Sequence, residues 1–287
     1  MVSKLKTASS LVLLSASIFA SGGALAQQSP PRADAGVSAN PSAISLVLRF
    51  TPGQRNVYAM RVQQQMAGLR SSTSQTLAFE TLSVTPAGVA DIRARTTAFD
   101  IQSGAMTTAV RQQFAQAMMG AVFQYQMDGR GRMVSRQPVR GLPPVMASMG
   151  EQLLQNVEQT APLLPTGPVT VGQRWTDTKT VRMAMGSANL TLRIELQYTL
   201  RELRRVAGST VAVLATSMTL SVPSGLVAPN VTATGAGTAT GEVLLAVERG
   251  VVQQSSTNLT LNVTTTTRGR QQQVTAISAQ TTMQLQG

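Results

Sequence analysis

The chain has 287 residues, 24 of them basic against 12 acidic, with no cysteine and no histidine. Disulfides, thiolate or imidazole metal centres, and Ser-His-Asp or Cys-His catalytic sets are therefore excluded. A net charge of +12 favours polyanionic partners, while the scarcity of aromatic rings argues against nucleic acid.

The first 26 residues read as a secretory signal. Lys4 and Lys6 precede an uncharged apolar stretch from Ala8 to Ala20. Ala24-Leu25-Ala26 puts small residues where a signal peptidase reads, so cleavage is expected before Gln27. No cysteine follows for lipid attachment. The expected location is the periplasm or the exterior, where the polyanions are lipid headgroups, lipopolysaccharide and acidic glycans. Cleavage would leave 261 residues, long enough for one β-rich domain over 44–287. Its lead, Gln27 to Ala43, is rich in Pro, Ser, Ala and Gly and reads as disordered.

Beyond the lead the chain alternates. Strands are predicted at Ser45–Phe50, Val57–Met66, Thr73–Val84 and Val89–Gln102. Thr107 to Ala121 interrupts them with Val110, Phe114, Ala117 and Met118 at helical spacing, Thr107 serving as the cap. Strands resume at Val122–Met127 and Arg132–Pro138. A second helix is predicted over Pro143 to Glu158, with Met146, Met149, Leu153 and Val157 on one face and a proline at its start. Pro162, Pro165 and Pro168 make a stiff connector. The later strands are Trp175–Met185, Leu190–Leu200, Ser209–Val222, Val231–Val247, Val251–Thr267 and Gln271–Leu285. The strongest alternation places Leu190, Leu192, Ile194, Leu196, Tyr198 and Leu200 on one face, the mark of an antiparallel strand with one buried side. In the next strand Val211 and Val213 fall on one parity and Leu214, Met218, Leu220 and Val222 on the other, so a bulge or two-sided burial is expected.

The chain also looks duplicated. Thr51-Pro52-Gly53-Gln54-Arg55 recurs as Thr170-Val171-Gly172-Gln173-Arg174, and Arg130-Gly131 recurs as Arg249-Gly250, both at an offset of 119. The repeats would cover about 45–140 and 168–260. The expected fold is α+β and mostly β: a large curved antiparallel sheet, half-barrel-like, built as a duplicated meander under two covering helices.

Pro168-Val169-Thr170-Val171-Gly172-Gln173-Arg174-Trp175 resembles the P-V-x-V-G-x-x-W signature of an uncharacterised family of exported bacterial proteins. The turn at Glu248-Arg249-Gly250 fits that family's second half. Where the family pattern carries an acidic residue after the glycine, this chain has Gln173. In overall plan the chain is similar to the periplasmic lipoprotein carriers, which implies a curved half-barrel that holds acyl chains beneath helices.

Several features admit two readings. Trp175, the only tryptophan, is a core anchor or a stacking ring for a ligand. Arg130, Arg132, Arg136 and Arg140 form a solvated hairpin or grip anionic headgroups. The small residues of Thr232 to Gly241 make a weak strand or a close approach of a ligand or helix. Met106, Met118, Met119, Met146 and Met149 fill a core or line an adaptable pocket. The acids Asp177, Glu195 and Glu202 lie on strands, and Glu151 and Glu158 on one helix, without forming a catalytic pair by spacing. No G-x-S-x-G elbow or phosphate loop occurs.

The expected function is non-enzymatic and needs no cofactor. An apolar or amphiphilic ligand such as a lipid would lie on the concave sheet face, against Leu192, Ile194, Leu196 and Tyr198 with Phe114 and Met118 above. The four arginines would contact an anionic surface. This reading requires a pocket on the order of 300–1,000 Å³, apolar inside with arginines at its mouth. The alternative is a structural or interaction protein of the envelope, with a filled core and a basic surface. A carboxylate hydrolase is the third reading.

Overall fold

The computed structural model describes residues 43–143, 161–185, 188–228, 230–267 and 272–286, so the expected signal segment and nearly all of the expected lead and second helix lie outside it. Eleven strands form one antiparallel sheet: β1 (Arg55–Met66), β2 (Leu69–Val84), β3 (Ala90–Ser103), β4 (Val122–Met127), β5 (Met133–Arg136), β6 (Arg174–Met185), β7 (Ala188–Val206), β8 (Ser209–Ala228), β9 (Val231–Ala246), β10 (Val251–Thr267) and β11 (Gln273–Gln286). Helix α1 (Thr108–Gly120) lies against β3. The Thr107 hydroxyl caps it by accepting from the Val110 N–H, and Phe114 and Met118 are its buried residues.

Read from one edge, the sheet runs β6 to β11 and then β1 to β5. Each strand pairs with its chain neighbour except at the break between β5 and β6, and the first and last strands close the middle of the sheet. The meander is therefore a barrel order left open at one seam.

Ser45–Phe50 was expected to be a strand and is not. Its residues are apolar enough, but their backbone groups bond to turns instead of a ladder. Leu48 N–H donates to Gly129 O at 2.7 Å and Arg49 N–H to Gly250 O at 3.0 Å, while Ile44 bridges Val169. The segment is a strap across the ends of the strands. A second strap runs from residue 161 to residue 169, where Leu164 N–H donates to Arg130 O at 2.8 Å.

The 119-residue offset recurs in structure. It carries the start of β1 onto that of β6, of β2 onto that of β7 and of β3 onto that of β8, and the end of β4 onto that of β9. The hydrogen bonds of the repeated turn coincide. Gly53 N–H donates to Thr81 O and Gly172 N–H to Leu200 O, at 2.8 and 2.7 Å. Gln54 and Gln173 both return their side-chain oxygen to the N–H of the residue three before, each at 3.1 Å. The bulge after Thr81 has its counterpart after Leu200, again 119 residues on. So the register shift expected in β8 sits on its partner strand β7. Val211, Ala212, Val213 and Leu214 opposite are all buried, which explains their mixed parity.

Thr232 to Gly241 forms most of β9, and at Gly235 and Gly237 the space of a side chain is taken by β10. A Cβ on Gly237 would stand 2.3 Å from Thr260 O and 2.8 Å from Leu261 Cα, both on β10. The neighbouring strand itself bends in close here, and glycine permits that curvature.

The inner face carries two apolar clusters. One joins Tyr58, Met60, Val62, Ile92, Phe123 and Tyr125 to Phe114 and Met118 of the helix. The other holds Leu192, Ile194, Leu196, Tyr198, Met218, Leu220, Leu259 and Leu261. Between them runs a cross-strand row, Thr73–Val62–Thr281–Thr257–Gly241–Thr216–Tyr198–Trp175, traced through successive strand registers. Its four threonines are buried, at 5 % exposure or less. The Thr73 and Thr216 hydroxyls have no hydrogen-bond partner, nor does that of Ser255 in the adjoining row. Buried polar atoms left unpaired cost about 1–3 kcal/mol each, so the row is a weak line in the inner face.

Candidate functional site

The residues expected to hold a ligand do not form one wall. Leu192, Ile194, Leu196 and Tyr198 lie together in the second cluster at 1–6 % exposure. Phe114 and Met118 belong to the first cluster, where Phe114 meets Phe99 at 5.6 Å between ring centroids.

The four arginines also part company. Arg130 turns inward and its Nε–H donates to Leu164 O at 3.0 Å, holding the second strap. Arg140 bonds Gln124 Oε1 at 3.0 Å. Arg132 and Arg136 are exposed. Asp128 shapes the turn by accepting from the N–H groups of Arg130 and Arg132, each at 2.9 Å. The acids on strands β7 and β9 pair locally: Glu195 with Arg193, Glu202 with Arg204, and Glu242 with Arg201. Such exposed pairs are worth about 0–1 kcal/mol. Among the described residues, no three acidic side chains group as a metal site.

Trp175 is fixed by the fold. Its ring stacks on Tyr198 at 5.6 Å with planes 10° apart, and its Nε1–H donates to Leu163 O at 2.8 Å. The Tyr198 hydroxyl accepts from Leu163 N–H at 3.4 Å. Two adjacent inward-facing rings thus grip both backbone groups of one strap residue. The ring also packs against both apolar clusters.

All three tyrosines of the chain are buried. Burial pushes the Tyr198 hydroxyl up to about 12 and raises Tyr58 and Tyr125 further. Folding therefore favours their neutral form. Their contribution is complete below the unfolded value of about 10 and is lost as pH rises toward the folded values. Each tyrosine should cost about 1.4 kcal/mol per pH unit above pH ~10. With no histidine or cysteine, urea midpoints should be flat from about pH 6 to 9 and fall steeply by about pH 11. A midpoint unchanged through pH ~11 would show that the hydroxyls are not held neutral.

A recess of about 830 Å³ lies where β1, β2, β3, β10, β11 and the first turns of α1 meet. Its volume suits the expected pocket; most of its lining residues carry amides or hydroxyls, while carbon atoms make up the larger part of the wall's surface. Gln64, Arg70, Ser71, Gln102, Ser103 and Arg111 contribute, and no Asp or Glu does. Leu259 and Ala279 of the second apolar cluster form part of the same wall. A smaller cavity of about 90 Å³ sits under the first strap, among Tyr58, Phe79, Ile92 and Tyr125. Sequence reasoning missed the recess. Its signal was Gln64, a glutamine at the inward parity of β1 between Val62 and Met66, where only an apolar residue was to be expected.

No protein-family profile matches the chain, and no curated protein matches it.

Proposed function

We propose that this is an exported, non-enzymatic protein that binds an amphiphile through the inner face of its sheet. The observation that carries the reading is the junction at Leu259 and Ala279, which belong both to an inner apolar cluster and to the wall of a recess of about 830 Å³ that also presents amides and hydroxyls. An amphiphile has that same division between head and chain. The signal-like start and the resemblance of the Pro168–Trp175 motif to exported proteins support the location. The test is binding of a fluorescent fatty acid, measured beside thermal melting, for the native protein and for Ala279→Phe. Saturable binding lost in the variant with little change in melting is expected. Absence of binding in the native protein, with a variant destabilised by about 1–3 kcal/mol, would mark an overfilled core and discard the reading.

That second result would favour a structural or interaction protein of the envelope. Its supporting observation is the deep burial of Leu192, Ile194, Leu196 and Tyr198, as in a filled core.

A further inference from the structure

We infer that the free edge of β6 docks a second copy of this chain, β6 antiparallel to β6, about a two-fold axis at Thr178. The first argument is an unfilled place in the sheet. Under the 119-residue offset β6 is the equivalent of β1. β1 is paired on both sides, and its Val57, Ala59 and Arg61 stand opposite Gln286, Gln284 and Thr282 of β11. Their equivalents on β6 are Thr176, Thr178 and Thr180. Among the described residues β7 is the only strand that pairs with β6. The stretch 119 residues before β11 ends in the second strap instead of a strand. Leu200 N–H donates to Gln173 O at 3.1 Å, so the alternation of an antiparallel ladder turns the backbone groups of odd-numbered β6 residues toward β7. The N–H and C=O of Thr176, Thr178 and Thr180 therefore point out at the seam, and the three side chains are exposed.

The second argument is charge. Asp177 and Lys179 stand opposite the buried Leu196 and Ile194 of β7, and so lie on the inner parity of β6. A lone charge on an edge strand repels its own copy, which is one way that edges are kept from pairing. Opposite charges two residues apart do the reverse. With Thr178 opposite itself, Asp177 meets Lys179 of the second copy, and Lys179 meets Asp177 of the second copy. Of the registers that set seam-directed backbone groups against one another, only this one makes these two contacts. They fall at non-hydrogen-bonded positions, where opposed side chains approach most closely. The same register brings the positions of Arg174 and Arg182 together at each end, which confines the pairing to its centre and keeps it weak. The contact also closes on itself. It uses up the long edge and leaves the four-residue β5 at either end of the joined sheet.

The experiment is analytical ultracentrifugation of the exported chain from about 1 μM to about 1 mM, with amide hydrogen exchange and thermal melting beside it. A concentration-dependent dimer is expected, with the amides of Thr176, Thr178 and Thr180 protected only where the dimer forms. Thr178→Pro removes a seam-directed N–H and no bond to β7, so it should abolish the dimer and leave the melting of the dilute chain in place. Asp177→Lys and Lys179→Asp each set like charges opposite one another, and each should weaken self-association at least about tenfold. Mixed in equal amounts, these two variants should form a heterodimer about as tight as the native dimer, a result that misfolding of either cannot produce. A native monomer at every concentration would overturn the proposal. So would a dimer indifferent to Thr178→Pro, or charge variants that self-associate as tightly as the native chain, since either puts the contact elsewhere. Protection of the three amides in the dilute monomer would overturn it too, because a segment of the same chain would then fill the edge.

Discussion

Alanine at Gly131 or Gly250 is expected to lower stability by about 3 kcal/mol, whereas Gly172→Ala should cost only about 1 kcal/mol. All three glycines have positive φ, at 83°, 61° and 88°. That conformation alone costs an L-residue about 1–2 kcal/mol. The difference lies in what crosses above. A Cβ on Gly131 would stand 2.3 Å from Pro162 O, and one on Gly250 would stand 2.5 Å from Arg49 N. Nothing lies within 4 Å of a Cβ on Gly172. The first two positions are equivalent under the 119-residue offset, yet each receives a different strap. Backbone is the obstacle in both, so no side-chain rotation relieves the clash, and overpacking of this kind costs about 1–3 kcal/mol more. Urea unfolding of the three variants is the measurement. Equal losses at Gly131 and Gly172 would mean that the straps are not seated on the turns.

The strands were legible because one-sided burial writes itself as alternation. Leu190 to Leu200 is the plainest instance, and β4 and β10 begin and end where the pattern does. Helix α1 was legible from its cap and the spacing of Phe114 and Met118. The duplicated turn was legible because each copy needs a glycine at positive φ and a glutamine that folds back on the turn. That bond gives Gln173 a local role in its turn.

What escaped notice depends on pairs distant in sequence. Ser45–Phe50 has strand composition, and only the carbonyls of Gly129 and Gly250 make it a strap. The run of small residues in β9 carries no mark of the β10 backbone that presses on it. The expected ligand wall mixed residues of two clusters, because alternation tells which face a side chain takes but not which end of a long strand it occupies. Leu192 and Leu200 share a face and belong to different clusters. The buried threonine row that divides them is assembled from successive strand registers, which no single strand encodes.

Trp175→Ala is expected to cost about 3 kcal/mol, near the low end for a lost tryptophan because the ring is only partly buried. The change removes contacts to both clusters and the stack on Tyr198, and it strips the donor from Leu163 O. Trp175→Phe keeps an aromatic ring and loses the N–H, so it should cost about 1 kcal/mol. Tyr198→Phe should cost less than that, since the hydroxyl receives a long bond of 3.4 Å from Leu163 N–H. The two phenylalanine variants act on one strap residue. Their combined effect should therefore depart from additivity by about 0.5 kcal/mol or more. Chemical denaturation of the singles and the double gives the coupling. A stacking platform for ligand would behave otherwise: Trp175→Ala would leave the unfolding midpoint in place and abolish fatty-acid binding. The clamp predicts the reverse order of effects, with stability lost first and binding lost only as the strap comes away.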